Sequence, residues 1–457
     1  MNLLWFLKRR RCERKRSKPA FGARKPGLLR SARNDGLRPL LTIIALVLLC
    51  SFSNILHAKP VELILWHSLA GQLGDELKQV VRTFNDSQQD FIIKPIYKGE
   101  YTDTITSFAA AFRAKKPPDM VQIYEVGTAA MLNPSGIIKP VSELMQEQGI
   151  SLPLAEFLPA LRNAYSKEGK LQALPFNTSI PVMYYNADAF KQIGLHHFPE
   201  TWEGMEQAAM KLKLAGYDCA YTSAYPGWIQ IESFAAIHGL PLFNAQQKAV
   251  YNDKAIIHHL NRLKKWQSLR YFQYGGRAND ATVLFTSGRC AMFSQSSGSY
   301  QGIEELVTFH LGVANMPLDH QESTTRHNNV AGGAALWAVA GQTPEHYRGI
   351  ALFYSYLAKP VTQQYWHQKT GYIPLGINNY YANSQAMPTL ALAKNDLSAI
   401  VHTSSNITLT PQNQIRTIND EALEAIFAGI KTPEQALNEA VQRADFAIKR
   451  FARNTGS

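Results

Sequence analysis

Between residues 59 and 125 the apolar positions switch period in regular alternation. VELILW (61–66) reads as a buried strand, after which Leu73, Leu77, Val80, Val81 and Phe84 recur at steps of three and four as one helix face. FIIKPIY (91–97) reads as a second strand, and Ile105, Phe108, Ala109 and Phe112 mark a second helix. DMVQIY (119–124) is a third strand, following the breaker Lys116-Pro117-Pro118. Strand, helix, strand, helix, strand predicts a parallel α/β sheet. Ligands of such sheets sit beyond the carboxyl ends of the strands, where KGEY (98–101) and EVG (125–127) fall.

The pattern continues less regularly. TWEGMEQAAMKLKLAG (201–216) predicts an amphipathic helix capped by Thr201 and ended by Gly216. AALWAVA (334–340) predicts a strand, and YRGIALFYSYLAKP (347–360) a helix stopped by proline. Near the end, EALEAIFAGIKTPEQALNEAVQRADFAIKRF predicts two helices broken at Gly429, the second started by Thr432-Pro433-Glu434-Gln435.

Charge first suggests a polyanion partner, because the chain carries +12 and a pI of about 9.3. Its location removes that reading. Residues 1–58 hold 13 of the 47 bases and 2 of the 35 acids, leaving 34 bases and 33 acids after Ala58. The basic run KRRRCERKRSK (8–18) precedes the apolar stretch Leu40–Leu49, and Ser51, Ser53 and Asn54 lead to Leu56-His57-Ala58. That order predicts an export signal cleaved after Ala58, the bases holding their end on the cytoplasmic side. An uncleaved anchor over Leu40–Leu56 is disfavoured by its polar interruptions, and lipidation of Cys50 by bulky Leu49. No nucleic-acid partner is expected.

The remaining 399 residues exceed what one core normally serves, so two lobes are expected. They keep two cysteines, Cys219 and Cys290, which an oxidising compartment would favour as a disulfide. No CxxC or HExxH occurs, and the His pairs 196–197 and 258–259 lack metal spacing, so no metal or other cofactor is expected.

The ordered motifs WHSLAGQLGDEL, YKGEYTDTI, QIYEVGTA, PFNTS, TWEGM, SSGS, GGAALW, WHQKTGYIP, PQNQIR and GIKTPEQAL run from Trp66 to Leu437. In this order they resemble the periplasmic glycerol-3-phosphate-binding proteins of ABC importers, within the family 1 extracellular solute-binding proteins. The resemblance implies an α/β two-lobe clamp with discontinuous lobes: 59–173 and 330–375 in one, 174–329 and 376–457 in the other. It implies a monomeric periplasmic receptor, not an enzyme, that hands glycerol 3-phosphate or glycerophosphodiesters to a membrane permease and its ATPase. Residue by residue it implies ligand contacts at Tyr101, Glu125, Ser179, Ser296, Gly333, Tyr372 and Arg416, with Trp202 packing on the glycerol. Tyr225-Pro226-Gly227-Trp228 departs from the family pattern, which has a second tryptophan two residues before the glycine.

The residue types suit such a ligand. Arg416 offers a planar donor fork worth roughly 1.5–3 kcal/mol per charged hydrogen bond; Tyr101, Tyr372 and Ser296 add hydroxyl donors. Ser297-Gly298-Ser299 opens a predicted helix whose free N–H groups favour an anion. Gly333 lets backbone approach closely. Glu125 would accept from a diol and repel a phosphate, so the expected orientation is phosphate at Arg416 and diol at Glu125. Each residue alone has a duller reading: Arg416 a salt bridge, Glu125 a helix cap, Ser296 an N-cap, the aromatics core packing. A sugar receptor of the same family would want several cleft aromatics and more acids. A phosphodiester hydrolase would need a metal cluster or an activated nucleophile, and no such constellation is seen around His67 or His367.

Overall fold

The computed structural model describes residues 59–376, 388–397 and 410–455. The expected export signal, its cleavage position and Cys50 lie outside the described residues.

The alternating apolar runs build the first sheet. β1 (Val61–His67), β2 (Phe91–Tyr97) and β3 (Met120–Tyr124) pair in parallel, with β1 between the other two. α1 (Gly71–Asp86) and α2 (Tyr101–Arg113) are the intervening helices, and α1 buries Leu77, Val80, Val81 and Phe84 as its period requires. β4 (Leu174–Pro175) and, later in the chain, Ala334–Ala338 extend this sheet antiparallel, giving the order β2-β1-β3-(334–338)-β4.

The second sheet comprises β5 (Pro181–Asn186), β6 (Cys219–Ser223), β7 (Phe272–Tyr274), β8 (Cys290–Ser296) and β9 (Leu311–Ala314), ordered β9-β5-β8-β6-β7. The segment 334–338 is therefore β10. Cys219 and Cys290 stand opposite one another in the parallel β6–β8 pair and are joined by a disulfide. Helices cover both sheets. α3 (Trp202–Leu214) starts where Thr201 accepts from the Gly204 N–H at 3.0 Å, and Gly216 leaves it at φ +96°. α4 (Lys254–Ser268) also packs on the second sheet, and α5 (Pro344–Leu357) against the first. The proline at 360 does not merely follow α5; it opens α6 (Pro360–Thr370) at N1, where a missing N–H costs nothing. α7 (Gln412–Phe427) and α8 (Pro433–Thr455) close the chain; Thr432 and Gln435 cap α8 by exchanging backbone-to-side-chain bonds.

Each sheet has its own apolar core, one around Leu65, Val121, Trp337 and Phe353, the other around Met205, Trp266, Ala291 and Leu423. Three extended stretches connect them side by side: Thr178 pairs with Ile373, and Ser179 with Gly332. The first stretch leaves the first sheet only after Pro175, because Leu174 and Pro175 still pair with Leu336 and Ala335.

Candidate functional site

The carboxyl ends of both sheets converge on one cavity of about 310 Å³. Tyr101 opens α2 just beyond β2, Glu125 follows β3, Ser296 ends β8, and Ser179 and Gly333 come from the connecting stretches. All five line the cavity, as do Tyr372 and Arg416. Seven of the eight expected positions are thereby brought together, from segments up to 315 residues apart (Tyr101 and Arg416).

The eighth is not. Trp202 is 1% exposed inside the second core, its ring 4.5 Å from His259, 6.0 Å from Trp266 and 6.2 Å from Tyr221. The reason is helical phase: Trp202, Met205, Ala209 and Leu212 form the buried stripe of α3, and the first residue of that stripe turns inward with the rest. The aromatic wall is built instead by Tyr124, Tyr225 and Trp228. Tyr101 and Tyr124 stack with centroids 5.0 Å apart and planes 2° off parallel. Tyr225 is held at φ +42°, and its hydroxyl accepts from Asn279 at 2.8 Å. Beyond it Gly227–Ser233 winds as a π-helix, a wide turn that recurs at functional positions. That turn carries Trp228 and Glu232.

Glu232 changes the electrostatics. Arg416 donates through Nε to Glu232 Oε1 at 2.9 Å, through Nη2 to Glu232 Oε2 at 2.5 Å, and through Nη1 to Glu125 Oε1 at 2.6 Å. The expected separation of Arg416 from Glu125 is therefore not what the structure has: the two are ion-paired across the cavity, and three of the five guanidinium N–H groups are spent on carboxylates. Glu125 sits beyond the first sheet and Arg416 on α7, so this pair ties one lobe to the other. Burial works against the Arg416 charge, but Glu232 and Glu125 outweigh it and hold its pKa well above the usual value. Burial raises the Glu125 pKa, against the pull of Arg416. Nor does Glu125 cap the short helix that follows, since its side chain turns to Arg416.

Asp420, one helical turn beyond Arg416, also lines the cavity. Burial, with Glu232 adding to it, pushes its carboxyl up to about 7 against Arg416 and Arg277. An unfolded aspartate titrates near about 3.9. The folded protein thus keeps a proton that the unfolded chain has lost, and this contribution to stability disappears as pH rises from roughly 4 to 7. Asp420→Asn is expected to gain stability relative to the natural protein across that window and to level off above it. Denaturant unfolding over a pH series checks this, and a difference independent of pH would refute it.

The remaining contacts have local reasons. Ser296 Oγ accepts from the Gly298 N–H at 3.1 Å, so its N-cap role is realised and leaves its hydroxyl hydrogen for another partner. The anion-binding helix expected after it is a three-residue 3₁₀ turn followed by a seven-residue helix. Gly333 has φ +98°, and a Cβ there would lie 2.0 Å from the Asn177 carbonyl oxygen, so only glycine fits the crossing. Sequence reasoning missed Glu232 and Asp420. Asp420 had a signal, the i,i+4 spacing from Arg416 in RTIND; Glu232 had none, because its position depends on the π turn.

Comparison with known proteins agrees with this architecture. Residues 79–392 match the family described as Bacterial extracellular solute-binding protein. The chain is 38% identical over 411 residues to the sn-glycerol-3-phosphate-binding periplasmic protein UgpB of Escherichia coli (strain K12), covering 86% of this chain and 93% of that one. It is 38% identical over 408 residues to the protein of the same name from Yersinia pseudotuberculosis, covering 85% and 93%. In structure it is similar to UgpB from Mycobacterium tuberculosis in complex with glycerophosphocholine, with TM-score 0.72, 21% identity, and 86% and 98% of the chains covered. It is also similar to maltose-bound T. maritima MalE3, with TM-score 0.73, 17% identity, and 84% and 99% covered. Those two structural likenesses speak for the fold, a two-lobe α/β clamp. The family match over residues 79–392 and the 38% identity along most of its length place the chain in the family of bacterial extracellular solute-binding proteins, which bind solutes rather than transform them.

Proposed function

We propose that this protein is the receptor of an ABC importer that captures sn-glycerol 3-phosphate or glycerophosphodiesters between its lobes and delivers them to the membrane permease. The observation that carries the reading is the convergence of Tyr101, Glu125, Ser179, Ser296, Gly333, Tyr372 and Arg416 on one cavity, together with the 38% identity to proteins named for binding sn-glycerol 3-phosphate. In this reading the tyrosine and serine hydroxyls and the two uncommitted N–H groups of Arg416 meet phosphate oxygens, and Glu125 and Asp420 accept from glycerol hydroxyls. Contacts come from both lobes, so a ligand touching all of them favours the closed clamp, and differential affinity is what shifts such an equilibrium. Export to the periplasm with loss of residues 1–58, and a monomeric state, belong to the same proposal.

One observation favours a second reading, a sugar receptor. The cavity has the aromatic lining and the acids that a sugar site wants, in Tyr101, Tyr124, Tyr225, Trp228, Tyr372, Glu100, Glu125 and Asp420. Titration calorimetry of residues 59–457 with sn-glycerol 3-phosphate, glycerophosphocholine and maltose separates the two. Heat from at least one phosphate ester and none from maltose is expected; the reverse would establish the sugar reading.

A further inference from the structure

Behind the cavity wall runs a chain of buried amides whose direction cannot be reversed. The Ser68 backbone N–H donates to Gln122 Oε1 at 2.8 Å, Gln122 Nε2 donates to Asn177 Oδ1 at 2.8 Å, and Asn177 Nδ2 donates to the Tyr101 hydroxyl oxygen at 2.9 Å. Gln122 and Asn177 are both 0% exposed. Side-chain amides can ordinarily be turned end for end, exchanging donor and acceptor. Here the first link is a backbone N–H, which can only donate. It fixes the oxygen of Gln122 toward Ser68, hence its nitrogen toward Asn177, hence the nitrogen of Asn177 toward Tyr101.

A hydroxyl oxygen that accepts must send its single hydrogen elsewhere. The Tyr372 hydroxyl neighbours both Asn177 and Tyr101, and whichever tyrosine donates to the other, one hydroxyl hydrogen remains. Among the described residues none outside the pair accepts it, and both tyrosines line the cavity. Asn177 belongs to the first connecting stretch, where its carbonyl oxygen packs against Gly333, so the relay is anchored at the crossing between lobes.

We propose that Gln122 and Asn177 are positioning residues that hold the Tyr101–Tyr372 pair as a hydrogen-bond donor to a phosphate oxygen of the ligand. The cleft thereby tells an acceptor from a donor at this point through a polarity set at the Ser68 backbone. This rests on the glycerol-phosphate reading above.

The test reverses the relay without changing its shape. In Asn177→Asp the carboxylate accepts from Gln122 on one oxygen and from the tyrosine on the other, turning the hydroxyl hydrogen away from the cavity. Gln122→Glu does the same one step earlier: Asn177 must then donate to the new carboxylate and accept from Tyr101, with the added charge further from the ligand. Affinity for sn-glycerol 3-phosphate and glycerophosphocholine is measured by calorimetry, with unfolding curves confirming that each variant is folded. Tyr101→Phe/Tyr372→Phe, which removes both hydroxyls of the pair, Asn177→Asp and Gln122→Glu are each expected to weaken binding about tenfold, the worth of one such bond. Adding Asn177→Asp or Gln122→Glu to Tyr101→Phe/Tyr372→Phe should give binding within about twofold of Asn177→Asp or Gln122→Glu alone, because the donor is already lost. A merely structural or repulsive effect would instead leave the paired tyrosine substitution its full cost in either background, and additive losses overturn the relay while leaving the functional reading in place. Gln122→Glu takes the place of Asn177→Asp should the latter not fold, since either cycle decides the matter. If the natural protein binds maltose and neither ester, the functional reading and the relay fall together.

Discussion

Arg416→Ala is expected to lose ligand affinity by more than tenfold and to destabilise the protein by about 3 kcal/mol. The affinity loss follows from removing a charged contact, since about 1.4 kcal/mol already corresponds to that factor. The stability loss has a different origin. Arg416 is the cation that joins Glu125 to Glu232, and its side chain is 15% exposed, theirs 22% and 13%. Breaking a buried pair by deleting one member costs about 3–5 kcal/mol, mostly because the abandoned charge stays buried; the partial exposure places this case at the low end. Two carboxylates are abandoned here, beside an aspartate whose carboxyl already favours its proton. Adding Glu232→Gln should therefore recover part of the stability and none of the affinity. Chemical denaturation and calorimetry on the same samples read both effects, and a singly substituted protein as stable as the natural one would show that the carboxylates relax into solvent.

Trp202→Ala is expected to cost about 3–5 kcal/mol of stability, the usual range for truncating a large buried aromatic, and to change ligand affinity less than about twofold once folded, as expected for a site that shares no partner with the ligand. Its indole fills the space between α3, Tyr221, His259 and Trp266. Trp228→Ala should show the opposite balance toward ligand, because Trp228 lines the cavity. Comparing the two decides which tryptophan the ligand meets. A Trp202 variant that keeps its stability and loses the ligand would return that residue to the cleft.

The ion-paired arginine also bears on what the clamp selects. An unopposed guanidinium would attract any small anion. Arg416 instead shares its charge with Glu125 and Glu232, and Arg277 is bonded through two nitrogens to Glu424. Discrimination must then rest on hydrogen-bond geometry more than on net charge, which is the role given above to the tyrosine pair.

The sequence by itself determined the local elements and part of the cavity lining. Period alone located β1, α1, β2, α2 and β3, and side-chain chemistry located the caps at Thr201 and Thr432, because these depend on neighbours within a few residues. The motif order brought seven cavity residues into one group. What only the tertiary structure decided is direction and pairing. That β10 runs antiparallel to β3, that the change of sheet comes after Pro175, and that Trp202 turns inward are set by which surface each element meets, not by its own pattern. Arg416 finds Glu232 through a π turn and Glu125 from the other lobe, 291 positions away in the chain; no local spacing encodes such a contact. The donor direction at Tyr101 is fixed by a backbone N–H at Ser68, three hydrogen bonds distant, and exists only once the segments holding Gln122 and Asn177 are buried side by side.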